Sequence, residues 1–517
     1  MNLLSPLTLL IIPLIGSLLI SLTNSNYLNL SKKYAFINVN EKITNIVENF
    51  QSSKYTNKRI KQIALITSLI NLLVSIIMWV QFDSNYTGYQ FLTFPLESNQ
   101  MTFLQLNFGI DGISLYFVLL TTFITPIAIL SSHNDIDKNL KFFLICILLL
   151  ETLQIAVFVS LDLLLFYVFF ESVLIPLFLM IGIWGASNAR IRAAFLLFLY
   201  TLFGSLWMLL AILKIYTNTG STDFTLLSSL ISEMSFSSQK LLWLGFFIAL
   251  ATKTPLFPLH GWLFRAHVEA PLAASIILAA VILKLATYAY LRILLTFLPD
   301  ASQYFSPLVQ SICVITLIYA SLSALRTHDS KALVALSSVS HCAVIVLGLF
   351  SNSVIGIEGA ILLSIAHGFI SPALFFCVGG CLYQRLHTRT IIYIRGVTTY
   401  MPIFSILFFI FALANASVPL TAGWVSEQLI LIGMFEKSPI IGTLGALSIF
   451  LTACYSLFLY NRIAFGDYSS FLKPIKDLDY REFIVLFSLL VPTVLLGIWP
   501  NIILDSLHLS VSYLILQ

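Results

Sequence analysis

Long apolar stretches recur along nearly the whole chain of 517 residues, and they restrict its fold more than any other feature. A transmembrane α-helix needs about 20 predominantly apolar residues. Fourteen stretches meet this length, at 3–22, 62–81, 109–131, 140–159, 162–183, 193–216, 240–261, 271–297, 306–325, 331–350, 355–384, 402–435, 440–464 and 483–500. The pattern predicts an all-α, polytopic membrane protein with about 14 transmembrane helices.

Charge in the loops between these stretches supports the count. Basic residues accumulate on the side of the membrane where a protein is made. The odd-numbered loops hold most of the cations, among them Arg190, Arg389 and Arg395, whereas the even-numbered loops hold only Lys240 and Lys437. A span missed or invented in mid-chain would destroy this alternation. Both termini are therefore predicted to lie on the side opposite the basic loops.

Composition excludes several other classes of protein. The chain is 59% hydrophobic and only 10% charged, with a mean hydropathy of +0.95, whereas soluble domains carry about 25% charged residues. The net charge of +4 comes without a basic tail, so no nucleic-acid partner is expected. The glycines are scattered outside any dinucleotide-binding pattern, and this chain is expected to bind no cofactor and no metal. The long polar first loop, 24–59, is interpreted as a surface extension of a single membrane domain over 1–517.

Four ionisable residues fall near the centres of predicted spans: Glu171, Lys253, Lys284 and Glu427. A charge at mid-bilayer costs about 2.5–3.5 kcal/mol unless it faces protein, water or an opposite charge. Burial disfavours the ionised form of both residue types, and a nearby opposite charge favours it. A Glu–Lys pair that forms and breaks can therefore act as a proton switch. The alternative is a static salt bridge that holds helices together.

Two histidines lie inside the spans, His341 in the tenth and His367 in the eleventh. Imidazole titrates near neutral pH, which suits a proton path. A single histidine on an apolar face is more often a satisfied core residue, and both interpretations stay open for these two. Glu151 and Glu358 are also intramembrane, at a less defined depth.

Prolines interrupt two of the predicted spans. Pro255 and Pro258 follow Lys253 in span seven, and Pro419 precedes Glu427 in span twelve. The first two prolines are expected to leave backbone carbonyls free at Ala251 and Thr254. Non-helical backbone at membrane depth is tolerated where it is buried in protein or lines a cavity.

The two interrupted spans are five apart, and units shifted by an odd number of spans have opposite orientations. This arrangement is typical of inverted repeats in secondary transporters, although unrelated kinks are the alternative. The predicted organisation is three N-terminal helices, two inverted five-helix repeats with broken helices 7 and 12, and a C-terminal helix and tail, at 1–131, 140–297, 306–464 and 465–517.

The same stretches resemble the chain 4 family of NADH:ubiquinone oxidoreductase, the antiporter-like subunits of respiratory complex I. The resemblance covers roughly residues 105–465. It is carried by GIDGIS at 109–114, DLLLFYVFFESVLIP at 162–176, LATKTPLFPLHGWL at 250–263, AVILK at 280–284, SSVSH at 337–341 and AHG at 366–368.

The resemblance implies proton-translocating roles for six residues: Glu171, Lys253, Lys284, His341, His367 and Glu427. The glutamate of span five would pair with the lysine of span seven and respond to the neighbouring subunit. The lysine of span eight would be the central proton carrier, and the two histidines would extend the hydrated path. The glutamate of span twelve would be the terminal carrier towards the exit.

By the same resemblance, the chain would be a membrane-arm subunit that translocates protons, driven by NADH-to-ubiquinone electron transfer in other subunits. It would carry no redox site itself, while NADH, FMN, iron–sulfur clusters and ubiquinone would belong to the whole complex. Its expected partners are other membrane-arm subunits, including antiporter-like neighbours, and membrane lipids. A subunit of a free-standing cation/proton antiporter and a non-pumping scaffold subunit are the alternatives. A composition rich in Ile, Leu, Phe, Asn and Tyr favours an organellar gene, hence the mitochondrial inner membrane with basic loops in the matrix.

Overall fold

Helices dominate the protein throughout the part that the structure describes. The computed structural model describes residues 5–23, 39–93, 106–133, 136, 138–469 and 475–516. Within them, extended pairing is limited to isolated bridges. The α-helices are α1 Pro6–Leu22, α2 Val39–Val80, α3 Gly112–Ser131, α4 Leu140–Val159, α5 Leu163–Ser172, α6 Leu174–Trp184, α7 Arg190–Thr219, α8 Phe224–Ser232, α9 Phe236–Lys253, α10 Leu263–Glu269, α11 Leu272–Ile277, α12 Leu283–Ala289, α13 Pro299–Arg326, α14 Ser330–Leu349, α15 Val354–Phe375, α16 Tyr383–Leu386, α17 Pro402–Asn415, α18 Ala422–Lys437, α19 Pro439–Ala464, α20 Tyr480–Ile498 and α21 Asn501–Leu516.

The predicted membrane class is confirmed. Among the described residues, 11 helices are long and apolar enough to cross a membrane. The remaining predicted spans coincide with the short apolar helix α1 and with the interrupted segments α9–α10 and α17–α18. The chain is therefore a multi-pass, all-α membrane protein.

The first loop differs from its prediction at one end. Helix α2 begins at Val39, well before the predicted span at 62–81, and continues without interruption to Val80. Part of the segment assigned to a polar loop thus extends the second helix. Residues 24–38 of that loop lie outside the described residues.

Both predicted interruptions are present. Helix α9 ends at Lys253, and turns lead to α10 at Leu263; helix α17 ends at Asn415, and α18 begins at Ala422. By the predicted loop sides, span seven runs towards the basic loops and span twelve runs away from them. The pair of inverted five-helix repeats stays a prediction.

The carbonyl of Ala251 does not remain free, contrary to expectation. The backbone N–H of Leu256 donates to the carbonyl oxygen of Ala251 at 3.0 Å. The indole N–H of Trp262 satisfies the neighbouring carbonyl of Thr252 at 2.9 Å. The chain closes the break with its own donors because an unpaired carbonyl in hydrocarbon costs several kcal/mol.

Three π-helical segments widen the helices near the middle of the protein, at Leu278–Ile282, Tyr290–Leu295 and Phe376–Leu382. A π-helical turn pairs residue i with i+5, which changes the face that later side chains present. The first two segments lie in predicted span eight, on either side of α12, and the third continues α15. The first segment ends two residues before Lys284 and therefore decides where the side chain of this lysine points.

The helices α15 and α18 make a very close contact at Gly359. A Cβ atom at this position would lie 2.8 Å from the backbone nitrogen of Ile430 and 3.0 Å from the carbonyl oxygen of Ser426. Only the absence of a side chain permits this approach. The contact fixes the height of the turn that carries Glu427.

We predict that Gly359→Ala destabilises the protein, because its methyl group would push α18 away from α15. Overpacking of this kind costs about 1–3 kcal/mol. The amount of folded protein that survives mild heating in detergent should fall. Gly182→Ala in α6 is the matched control, since no atom lies within 4 Å of its Cβ position. Equal survival of both variants would contradict the close contact.

Candidate functional site

Glu171 and Lys253 lie together at the first break, as the sequence analysis expected. The ammonium nitrogen of Lys253 is 3.4 Å from Oε1 of Glu171. Its shorter contact, 2.6 Å, is the hydrogen bond that it donates to the carbonyl oxygen of Phe170. The ion pair is therefore loose, and the lysine has a second partner when the carboxylate moves away.

The end of α9 stabilises the charge on Lys253. The residue is the last of the helix, where the partial negative charge of the helix dipole favours a cation. Its ammonium also lies 3.2 Å from the centroid of the Phe170 ring, a cation–π contact. Lys253 is buried, and the side chain of Glu171 is 16% exposed, so the pair sits just beneath the surface of the protein.

Lys284 lies on α12 directly after the first π-helical segment, fully inside the protein. Its ammonium donates to the carbonyl oxygen of Ala279 at 2.6 Å. The π-helical turn makes that carbonyl available, since it displaces the regular i−4 donor. The ammonium also lies 2.6 Å from Nδ1 of His367 on α15. No carboxylate forms an ion pair with Lys284 among the described residues, so its proton can be shared with an imidazole.

The two histidines continue from Lys284 towards the second break. The ring centroids of His341 and His367 are 5.5 Å apart. Nδ1 of His341 then lies 3.3 Å from Oε1 of Glu427. Nε2 of His367, both ring nitrogens of His341 and both carboxyl oxygens of Glu427 are buried without a hydrogen-bond partner. Buried polar atoms are usually satisfied, so this cluster is suited to bind water.

A small cavity lies at this point, beside the break between α17 and α18. Its volume is about 10 Å³, and its lining includes His341, His367, Asn415, Ser417 and Gly423. This is about the size needed for one water molecule. A water there would have the two imidazoles within reach, and apolar side chains such as Leu363 and Ile370 form part of the wall.

The structure thus brings the six predicted residues into two groups. Lys253 and Glu171 form one, and Lys284, His367, His341 and Glu427 form the other. Within the described part of the chain, Lys253 and Lys284 share no hydrogen-bond partner. The first break and the helix of Lys284 meet instead where the hydroxyl groups of Thr254 and Tyr290 are 3.3 Å apart.

Sequence reasoning missed a buried ion pair between Asp111 and Arg292. Nη2 of Arg292 lies 2.5 Å from Oδ2 of Asp111, and Nε of Arg292 donates to the hydroxyl of Tyr288 at 3.3 Å. Asp111 also caps α3 by accepting from the backbone N–H of Ser114. The signal was an arginine within an apolar span, eight residues after Lys284.

Lys331 and His267 were also missed as interior residues. Lys331, at the first position of predicted span ten, is buried, and its ammonium donates to the carbonyl oxygen of Ala270 at 2.8 Å. It borders a cleft of about 750 Å³ on the basic side, together with Arg385 and Arg389. The fully buried ring of His267 stacks on Phe375 at 4.5 Å, within electrostatic range of both Lys331 and Lys284.

Comparison with known proteins identifies the family. The transmembrane model of NADH:quinone oxidoreductases and Mrp antiporters matches residues 160–453, and the model for the amino terminus of NADH-ubiquinone oxidoreductase chain 4 matches residues 51–157. A NADH-ubiquinone oxidoreductase chain 4 from Mycosarcoma maydis is 59% identical over 507 residues, which covers 98% of each chain. The chain belongs to the NADH-ubiquinone oxidoreductase chain 4 family.

Solved structures agree with this family, but their similarity alone does not distinguish a complex I subunit from an Mrp antiporter subunit. A chain of respiratory complex I from Thermus thermophilus matches with a TM-score of 0.83 and 25% identity, covering 99% of both chains. A chain of the Mrp complex from Dietzia sp. matches with a TM-score of 0.82 at 18% identity, covering 99% of this chain and 98% of that one. The fold is common to both. The chain 4 sequence match therefore decides, and it confirms an antiporter-like subunit of the complex I type rather than of a free-standing antiporter.

We predict that the loose pair in this chain 4 protein is coupled energetically. Glu171→Gln should lower the thermal survival of the assembled complex, because it leaves the buried ammonium of Lys253 without its carboxylate. Since Glu171 is partly exposed, the expected loss in the free energy of unfolding is about 3 kcal/mol or less. The double variant Glu171→Gln/Lys253→Met should recover most of the loss. Additive losses in the double variant would show that the two side chains act independently.

Proposed function

We propose that this chain translocates protons across the membrane along Lys284, His367, His341 and Glu427. The observation that carries the proposal is the contact of 2.6 Å between the ammonium of Lys284 and Nδ1 of His367. A lysine bonded to an imidazole, rather than to a carboxylate, has a partner that accepts its proton. His341 follows His367 at a ring separation of 5.5 Å, which a single water bridges, and Oε1 of Glu427 lies 3.3 Å from Nδ1 of His341.

The energy required for such transfer is within reach of local rearrangements. A tenfold change in proton affinity corresponds to about 1.4 kcal/mol. Making or breaking an ion pair in a partly desolvated site changes local electrostatic energies by several times that amount. Separation of the Glu171 carboxylate from the Lys253 ammonium, which stays bonded to the carbonyl of Phe170, supplies a change of this kind, because it alters the field near Lys284 without contact.

Glu171 is suited to respond to a neighbouring subunit. It lies where α5 meets α6, beneath a surface on which Val168 and Ile175 are 45% and 58% exposed. Apolar side chains on this face fit either lipid or another membrane helix. A neighbour that displaces Glu171 would loosen its pair with Lys253. In this role the neighbours are other membrane-arm subunits, including antiporter-like ones.

Protons enter from the basic side through the cleft that Lys331 lines. From there, buried His267 lies within electrostatic range of Lys284. Uptake on this side and release beyond Glu427 give the route a direction away from the basic loops. We assign the basic loops to the mitochondrial matrix and the chain to the inner membrane, on the strength of the charge alternation and the composition typical of an organellar gene.

The driving reaction belongs to other subunits in this proposal. NADH, FMN, iron–sulfur clusters and ubiquinone would be bound elsewhere in the assembled complex I, and electron transfer among them would move the residues described above. Membrane lipids would cover the exposed apolar faces of the outer helices.

Lys284→Met tests the proposal, since it keeps the bulk of the side chain and removes the exchangeable proton. We expect assembled complex with proton pumping and NADH:ubiquinone activity lowered by about tenfold or more, as is typical when a proton-transfer group is lost. Pumping is measured in membrane vesicles, with subunit content checked in parallel. Lys437→Met is the control, because Lys437 is exposed at the end of α18. Assembled Lys284→Met complex that pumps at the wild-type rate would overturn the carrier role.

A further inference from the structure

The last helix, α21, lies across the face of the protein opposite the basic loops. Its carbonyl at Ile502 accepts from the hydroxyl of Tyr116 at 3.0 Å. Further along, a Cβ atom at Gly112 would lie 2.6 Å from Oγ of Ser510 and 2.8 Å from the carbonyl oxygen of Ser506. Gly112 and Tyr116 both belong to the beginning of α3, on that face. Because successive turns of α21 contact the same end of α3, the helix runs over this face and does not cross the membrane.

The same helix carries His508 to a second buried element. Nδ1 of His508 lies 2.7 Å from Oε1 of Glu358, in the second turn of α15. The side chain of His508 is 64% exposed and that of Glu358 is 11% exposed. The pair therefore joins a buried carboxyl group to a solvent-facing imidazole.

Glu358 also adjoins the backbone of the proton route. The next residue, Gly359, makes the close contact with α18 between Ser426 and Ile430. Glu427 lies within that segment of α18 and is buried. The two glutamates thus start from neighbouring backbone positions, one facing His341 and the other facing His508.

We propose that Glu358 and His508 form the outward port of this chain, through which Glu427 exchanges protons with water on the side opposite the basic loops. The inference rests on the function proposed above. The step is proton transfer alone: the carboxyl of Glu427 loses a proton through intervening water, the carboxylate of Glu358 accepts it, and the imidazole of His508 passes it to solvent. No bond between heavy atoms changes.

The competing role for this pair is mechanical, since a salt bridge could simply hold α21 against α15. Glu358→Gln separates the two roles. The amide oxygen of glutamine still accepts a hydrogen bond from His508, so α21 stays attached, but an amide cannot carry the proton. Glu436→Gln is the matched control, because Glu436 is an exposed glutamate at the end of α18 on the same side of the membrane.

The experiment uses the purified complex in proteoliposomes. We expect Glu358→Gln to assemble normally and to lose about fivefold or more of its turnover and pumping, with a smaller loss for His508→Gln, since water still reaches the carboxyl. Glu436→Gln should match the wild type. Formate should restore turnover in Glu358→Ala, because the truncated side chain leaves room for this small carboxylate to enter the port from solvent. Gramicidin, which collapses the gradient without supplying a carboxyl group, should not restore it.

Two results would overturn the port. One is wild-type turnover and pumping in Glu358→Gln, measured beside a Lys284→Met complex that has lost both; the route would then stand and the port alone would fail. The other is a loss in Glu358→Ala that formate does not relieve, which would assign the pair a mechanical role. Normal pumping by Lys284→Met would instead refute the route itself, and the port with it.

Discussion

The contact between Lys284 and His367 is the interaction on which the rest of the site depends, because it places a lysine beside an imidazole in the interior of a membrane protein. A charge in such surroundings is costly unless a partner compensates it. Here the compensation is divided between the carbonyl of Ala279 and a neutral acceptor. The first contact requires the π-helical segment before α12, and the second requires α15 to pass close to that segment. The helical irregularities are therefore part of the site.

The two breaks in the helices have the same structural effect. Each brings backbone polar groups and an ionisable side chain together at membrane depth, Lys253 at the end of α9 and Glu427 near the beginning of α18. Lys253 precedes its break and lies at the negative end of a helix, whereas Glu427 follows its break and lies near the positive end of another. The close approach of α15 at Gly359 keeps the second break in position beside His341.

Much of this architecture could be predicted from the sequence because it depends on local properties. Apolar length predicts the spans, loop charge predicts their orientation, and proline predicts the breaks. The position of Lys284 against His367 could not be derived in this way, since 83 residues separate them and two π-helical segments alter the helix face. The pair of Asp111 with Arg292 and the burial of Lys331 likewise depend on tertiary packing. The segment after the last predicted span is predicted to be a tail, but it forms α21. Contacts with α3 and α15 set the position of this helix.

The central claim is that Lys284, His367, His341 and Glu427 operate as one chain of transfers, and a double-variant cycle on proton pumping tests it most directly. Pumping would be measured in proteoliposomes for His367→Gln, for Glu427→Gln and for the two together. Groups that serve the same sequence of steps show strongly non-additive effects. The account predicts that the double variant pumps no more slowly than the slower single variant. Losses that multiply in the double variant would place the two residues on independent paths and contradict it.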